Sequence, residues 1–192
     1  MFHGFSEKVI SFAAKNKYIS QEEFEEYTYG FELILSILLT DITVLLIGLL
    51  MNMLVESIVF WVVYKILRKY TGGFHFDSGV ICYLSSCIMG PIVLLIIRYC
   101  PYDAVIYSIC TAASLMILFL LSPIEAIQKP LDDTEKKVFG KWARILISIA
   151  AVVFALCVWR HAYTAKILAV SIMAVTLFAI MGKIKLMYYK NS

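Results

Sequence analysis

The sequence predicts an all-α integral membrane protein, with about six transmembrane helices preceded by an N-terminal amphipathic helix lying in the interface. Three observations predict it. Of 192 residues 61% are hydrophobic and the mean hydropathy is +0.84, more apolar surface than a soluble domain of this size can hide. The apolar residues fall in runs approaching the ~20 residues that cross ~30 Å of hydrocarbon. Lys and Arg, finally, gather in alternate connections, which is how a multi-span chain records its orientation. Residues 1–192 read as a single polytopic domain.

Residues 2–19 place Phe5, Val9, Phe12 and Ala13 at roughly helical spacing among Lys8, Lys15 and Lys17. This suits a helix in the interface and is too polar to span. The first thirty residues hold no continuous apolar core of a signal peptide, so the N-terminal segment, 1–30, is expected to stay on the mature protein. Ser20-Gln21-Glu22-Glu23 reads as a capping box, the serine closing one backbone N–H and Glu23 reaching back to another. Glu22, Glu23, Glu25 and Glu26 then stabilise a helix start on a solvated face, or form a docking surface for basic peptide or for the protein's own basic loops.

Phe31 to Met51 is the first span, with Asp41 near its middle. A carboxylate there is costly and should face the bundle interior toward a donor or cation. Met53 to Leu67 is a shorter second span, with Glu56 near one end and Lys65 and Arg68 able to snorkel at the other. Val80 to Ile97 is the third, interrupted by Gly90-Pro91, where proline removes a helical N–H and predicts a kink. Ala104 to Leu121 is the fourth. The charged stretch 122–144 follows, with Asp132 as an N-cap and Glu135 three residues on. Ala143 to Trp159 and Ile167 to Met181 are the fifth and sixth.

Connections that fall on one side of such a chain carry fourteen Lys and Arg, those on the other three. This places both termini, residues 64–79 and residues 122–144 in the cytoplasm. The net charge of +3 is small, and no nucleic-acid partner is expected. Five cysteines without a Cys-x-x-Cys pair, most of them inside apolar runs, read as small buried hydrophobes rather than a disulfide framework. His3, His75 and His161 stand too far apart in sequence to suggest a metal site, and no cofactor is expected.

Chemistry concentrates at 68–82, a polar, glycine-broken loop between two apolar runs. His75 and Cys82 can form a thiol nucleophile with its base, since imidazole takes the proton of a thiol near neutral pH and a thiolate attacks carbonyls. Such a pair alone is a weak motif; its surroundings strengthen it. With Asp77 as N-cap, Cys82 falls close to a helix start, where the dipole favours thiolate. On one straight helix, residues seven apart are separated by ~10 Å, too far for proton transfer. Gly72-Gly73 supplies the break that can fold His75 back. Cys87 points about 140° away from Cys82 and reads as structural.

The order Arg68-Lys69-Tyr70-Thr71-Gly72-Gly73-Phe74-His75, then Cys82, followed by Lys129-Pro130-Leu131 and Glu135, resembles the AgrB family of membrane endopeptidases, which process quorum-sensing propeptides in Gram-positive bacteria. The resemblance extends to chain length and the multi-span plan. It implies a cysteine endopeptidase of the cell membrane that cleaves an AgrD-like propeptide on the C-terminal side of its future ring and closes a thiolactone. Cys82 is then the nucleophile and His75 the general base and acid, while Arg68, Gly72 and Gly73 hold the loop. A homodimer in the lipid bilayer is implied too. The third member of a triad stays open among Asp77, Ser85, Asp41 and Glu32. Two other readings compete: a small carrier or channel lined by Asp41, Glu56 and the Gly90-Pro91 break, and a catalytically idle scaffold that binds peptides through 122–144.

Overall fold

The computed structural model describes residues 3–16, 18, 20, 23–74, 79–125, 131–160 and 162–191. Among them are seven helices: α1 (His3–Lys15), α2 (Phe24–Leu50), α3 (Leu54–Thr71), α4 (Gly79–Tyr99), α5 (Ala104–Leu121), α6 (Asp133–Arg160) and α7 (Ala162–Asn191). Helix α7 is the axis of the bundle: 56% of its apolar window is buried, against 11% of that in α2. It packs on α3, α4, α5 and α6. In lipid, helices gain little from hiding apolar surface from one another, so association depends on close backbone approach and internal hydrogen bonds. The buried face of α7 suits that, with Ala165, Ala169, Ser171, Thr176 and Ala179 all less than 5% exposed. The outer faces carry Leu33, Leu38, Ile42 and Leu46 of α2 and Ile88 and Ile92 of α4, all exposed. Apolar surface on that scale belongs against hydrocarbon.

Five helices, α2, α4, α5, α6 and α7, are long and apolar enough to cross a membrane. The expected second span is α3, whose 18 residues reach ~27 Å at 1.5 Å each, but Glu56, Lys65, Arg68 and Lys69 lie on it. By length and composition, therefore, five helices qualify and not six. The bundle answers two of those charges. Asp41 accepts from Lys65 Nζ at 2.7 and 2.9 Å and from Trp61 Nε1 at 2.9 Å, and Tyr163 donates to Glu56 at 2.6 Å. Ser57 donates to the Val44 carbonyl at 3.2 Å, so α3 runs antiparallel along α2. The Gly90-Pro91 step lies within continuous helix, with Gly90 buried and the Val44 side chain 3.6 Å from where a Cβ would stand.

Other expectations divide. Helix α1 buries Ser6 and Ile10, whereas Phe5 and Phe12 are 58% and 70% exposed; the aromatic side faces outward, as a helix at an interface requires. Ser20 and Glu23 do not cap α2 with their side chains. Ser20 Oγ donates to Glu23 Oε2 at 2.7 Å, and Glu23 at the N-cap makes no side-chain cap bond. The second box does form: Glu135 N–H donates to Asp132 Oδ1 at 2.6 Å and Asp132 N–H to Glu135 Oε2 at 3.2 Å. The reason is chemical. A hydroxyl can bond a carboxylate directly, whereas two carboxylates only accept and must turn to backbone amides. Helix α6 consequently begins at Asp133, so much of 122–144 is helix, and α3 continues to Thr71, so the loop before Cys82 starts at Gly72.

Candidate active site

Cys82 is the fourth residue of α4 and half-buried. It lines a cavity of about 70 Å³ with Tyr64 and Arg68 of α3, Phe74 of the loop, Ser85 and Ser86 of α4, and Phe178 of α7. Ser85 Oγ and Ser86 Oγ both donate to the Cys82 carbonyl, at 2.8 and 3.1 Å, the local back-bonding by which a helix absorbs serine. Their protons are thereby committed, and toward an imidazole Ser85 could only accept.

Arg68 does not snorkel; it turns inward. Its guanidinium donates to the Tyr64 hydroxyl and to the Phe74 carbonyl. It also sits 5.0 Å from the ring centre of Phe178 and 5.4 Å from that of Tyr64, so ring faces supplement its neutral acceptors. A planar fork that stacks and donates in two directions is something lysine cannot supply. The rings are themselves fixed: Tyr64 stacks on Trp61 at 5.5 Å and meets Phe178 edge-on at 6.0 Å.

The loop that Arg68 grips is seated by main chain. Ile124 N–H donates to the Thr71 carbonyl and Phe74 N–H to the Phe178 carbonyl, both at 2.9 Å, and Gly72 forms a parallel bridge with Ile124. Gly72 has φ +75°, and a Cβ on it would lie 2.0 Å from the Ile124 carbonyl oxygen. Either fact alone demands glycine. On the other side a Cβ at Gly182 of α7 would lie 2.5 Å from Gly73 C and 2.6 Å from Phe74 N. The loop therefore rests directly on helix backbone more than a hundred residues downstream.

Of the residues singled out from sequence, Arg68, Gly72, Gly73 and Cys82 come together here, with Ser85. His75 and Asp77 lie outside the described residues. Asp41 is bound by Trp61 and Lys65 and does not line the cavity; Glu32 stands 3.5 Å from His3 Nδ1. Cys87 is also absent from the lining. Tyr64, Ser86, Phe178 and Gly182 were not anticipated. A lone glycine inside an apolar helical run has a packing reason more often than not, and Gly182 carried that signal.

A polytopic α-helical membrane protein with a half-buried thiol set beside an arginine-clamped loop is the class that fold and site define. The sequence profile of the Accessory gene regulator B family matches residues 6–181, and the chain belongs to that family. Among curated proteins it is similar to two described as AgrB-like, both from Clostridium perfringens. It is 28% identical over 123 residues to one from strain SM101 and 27% identical over 123 residues to one from strain 13. Each alignment covers 60% of this chain and 58% of the relative, so the chain spans less than two thirds of the length of these relatives. No solved structure matches it.

Proposed function

We propose that this protein is a membrane cysteine endopeptidase that cleaves an AgrD-like propeptide at the C-terminal side of its ring and releases the ring as a thiolactone. His75 takes the Cys82 thiol proton, and the thiolate attacks the scissile carbonyl. The C–N bond breaks as His75 returns the proton to the leaving amine, leaving an acyl thioester on Cys82. The peptide's own cysteine thiol then attacks that thioester, freeing Cys82 and closing the ring. Exchange of one thioester for another is near neutral in free energy, so water must be kept from the acyl-enzyme.

The observation that carries this reading is the placement of Phe74. Its N–H is held by Phe178 and its C=O by Arg68, and it lines the Cys82 cavity. The next residue is His75. The proposal includes a cell-membrane location in a Gram-positive bacterium, with α3 as a sixth crossing, both termini and the 72–78 loop in the cytoplasm, and a homodimeric state. The charge asymmetry and the antiparallel run of α3 on α2 support the topology.

The test is cleavage of a cognate AgrD-like propeptide. Cys82→Ala and His75→Ala should each abolish it, and the double variant should be no worse than either, because parts of one catalytic unit are not additive. Cys87→Ala should remain active. With the propeptide's ring-closing cysteine changed to alanine, an acyl adduct on Cys82 should accumulate and be visible by mass spectrometry. Normal cleavage by Cys82→Ala would refute covalent catalysis.

A further inference from the structure

Asp41 stands within the apolar run of α2, and an acid at such a depth is kept for a partner or a task. It does not line the Cys82 cavity, yet a continuous line of contacts joins the two. Asp41 Oδ1 accepts from Trp61 Nε1 at 2.9 Å. The Trp61 indole stacks on the Tyr64 ring, with 5.5 Å between centres and the planes 13° from parallel. Tyr64 is a wall of the cavity, and its hydroxyl accepts from Arg68, whose guanidinium also holds the Phe74 carbonyl. His75 is next in the chain.

Trp61, Tyr64, Lys65 and Arg68 recur along α3 at the spacing that puts side chains on one face of a helix. Trp61 is buried. An indole N–H in that position needs an acceptor, and the carbonyls of a helix are already engaged by its own amides. Asp41 therefore settles how the indole plane is turned, and the Tyr64 ring stacked on it takes its tilt from that plane. Phe178 meets Tyr64 edge-on at 6.0 Å, and the Arg68 guanidinium lies over both rings. Holding α2 to α3, by contrast, does not require the acid. Ser57 Oγ donates to the Val44 carbonyl at 3.2 Å, and Gly48 approaches Ser57 so closely that a Cβ there would collide with it. The ion pair with Lys65 at 2.7 Å compensates the charge that the carboxylate brings.

Resting on the endopeptidase reading, we infer that Asp41 is a positioning residue for the reaction: through Trp61 and Tyr64 it fixes the fork of Arg68, and so the place of the Phe74–His75 backbone beside Cys82. It acts through other side chains and not as the third member of a triad. What counts at position 41 is then an oxygen facing Trp61, not a negative charge.

The experiment uses the full chain in nanodiscs with a cognate propeptide and compares two pairs of substitutions. Asp41→Asn with Lys65→Gln removes both charges but keeps an oxygen for Trp61; Asp41→Leu with Lys65→Gln removes that oxygen as well. The Asn pair should cleave within about threefold of the unmodified protein, and the Leu pair should lose about tenfold or more in kcat while KM and melting temperature hold, because a small misplacement of a catalytic group costs rate. Alkylation of Cys82, followed by mass spectrometry with no propeptide present, should slow in the Leu pair and not in the Asn pair. Trp61→Phe should lower kcat as much as the Leu pair does and add nothing to it, since both break one contact. If the Leu pair does not fold, Trp61→Phe decides by the same kcat reading. Equal kcat and equal alkylation in the two pairs overturn the inference, as does a loss of rate in step with a loss of melting temperature, which would make Asp41 a tether only. If no form of the protein cleaves the propeptide but Cys82 alkylation still separates the two pairs, the positioning stands and the endopeptidase reading falls.

Discussion

Replacing Gly182 with alanine should separate the fold from the chemistry. The new methyl would meet Gly73 C at 2.5 Å, Phe74 N at 2.6 Å and Gly73 Cα at 3.0 Å. All are main-chain atoms, so no rotamer relieves the clash, and reaching an ordinary contact requires loop and helix to part by about 1 Å. Overpacking of this kind costs ~1–3 kcal/mol, and the Phe74–Phe178 hydrogen bond adds ~0.5–1.5 kcal/mol if it breaks. Against this, alanine is better than glycine inside a helix by ~1 kcal/mol. Because the loop can yield while the seven-helix bundle stays packed, the melting temperature should move by only a few degrees. Activity should not survive so well: a ~1 Å displacement of a catalytic group costs ~10²-fold, and the displaced residues lead directly into His75. The assay is the propeptide cleavage rate alongside thermal unfolding, with Gly30→Ala as control, since a Cβ there meets nothing within 4 Å. Cleavage by Gly182→Ala within twofold of the unmodified protein would refute the claim that the loop must rest on α7.

Gly72→Ala should be more severe than Gly182→Ala, because it combines a contact at 2.0 Å with a positive φ; loss of cleavage with preserved membrane insertion is expected, and full activity would show that the Ile124 bridge carries no constraint. For topology, single cysteines placed near Lys136 and near Lys190 should both resist a membrane-impermeant thiol reagent in intact cells, and labelling of either from outside would overturn the arrangement with α3 as a sixth crossing.

How much of this was legible depends on which residues report locally. Span positions followed from apolar run length, and α5 begins and ends where its run does, at Ala104 and Leu121. The Asp132–Glu135 box was readable because two acceptors have only backbone to bond. The Ser20–Glu23 box does not form because a hydroxyl also has a carboxylate within reach. The status of α3 was ambiguous for a physical reason: its charges are tolerable only beside Asp41 and Tyr163, partners on other helices. At the site, Arg68, Gly72, Gly73 and Cys82 lie within fifteen residues and were found together. Phe178 and Gly182 belong to the same site but sit more than ninety residues away, in a largely apolar helical run. Gly182 as a lone glycine signals some close approach, but nothing local says that a loop from the other end of the chain makes it, or that the Phe178 carbonyl faces that loop.

The way the loop is held bears on which substitutions it tolerates. Among the described residues, the hydrogen bonds that fix it include Ile124 to Thr71, Phe74 to Phe178, Arg68 to the Phe74 carbonyl and Thr71 Oγ1 to the Gly72 carbonyl. At ~0.5–1.5 kcal/mol each, such bonds hold the loop in place by a few kcal/mol. The 122–125 segment is braced from behind by the Lys136–Glu125 ion pair at 3.0 Å, a solvent-facing pair of the kind worth ~0–1 kcal/mol, and by Pro123 against Gly140. Main chain thus carries most of the restraint, so the fixed requirements are two glycines without side chains and one arginine with the right fork. A loop secured this way depends on main-chain contacts with Ile124 and Phe178 more than on side-chain packing.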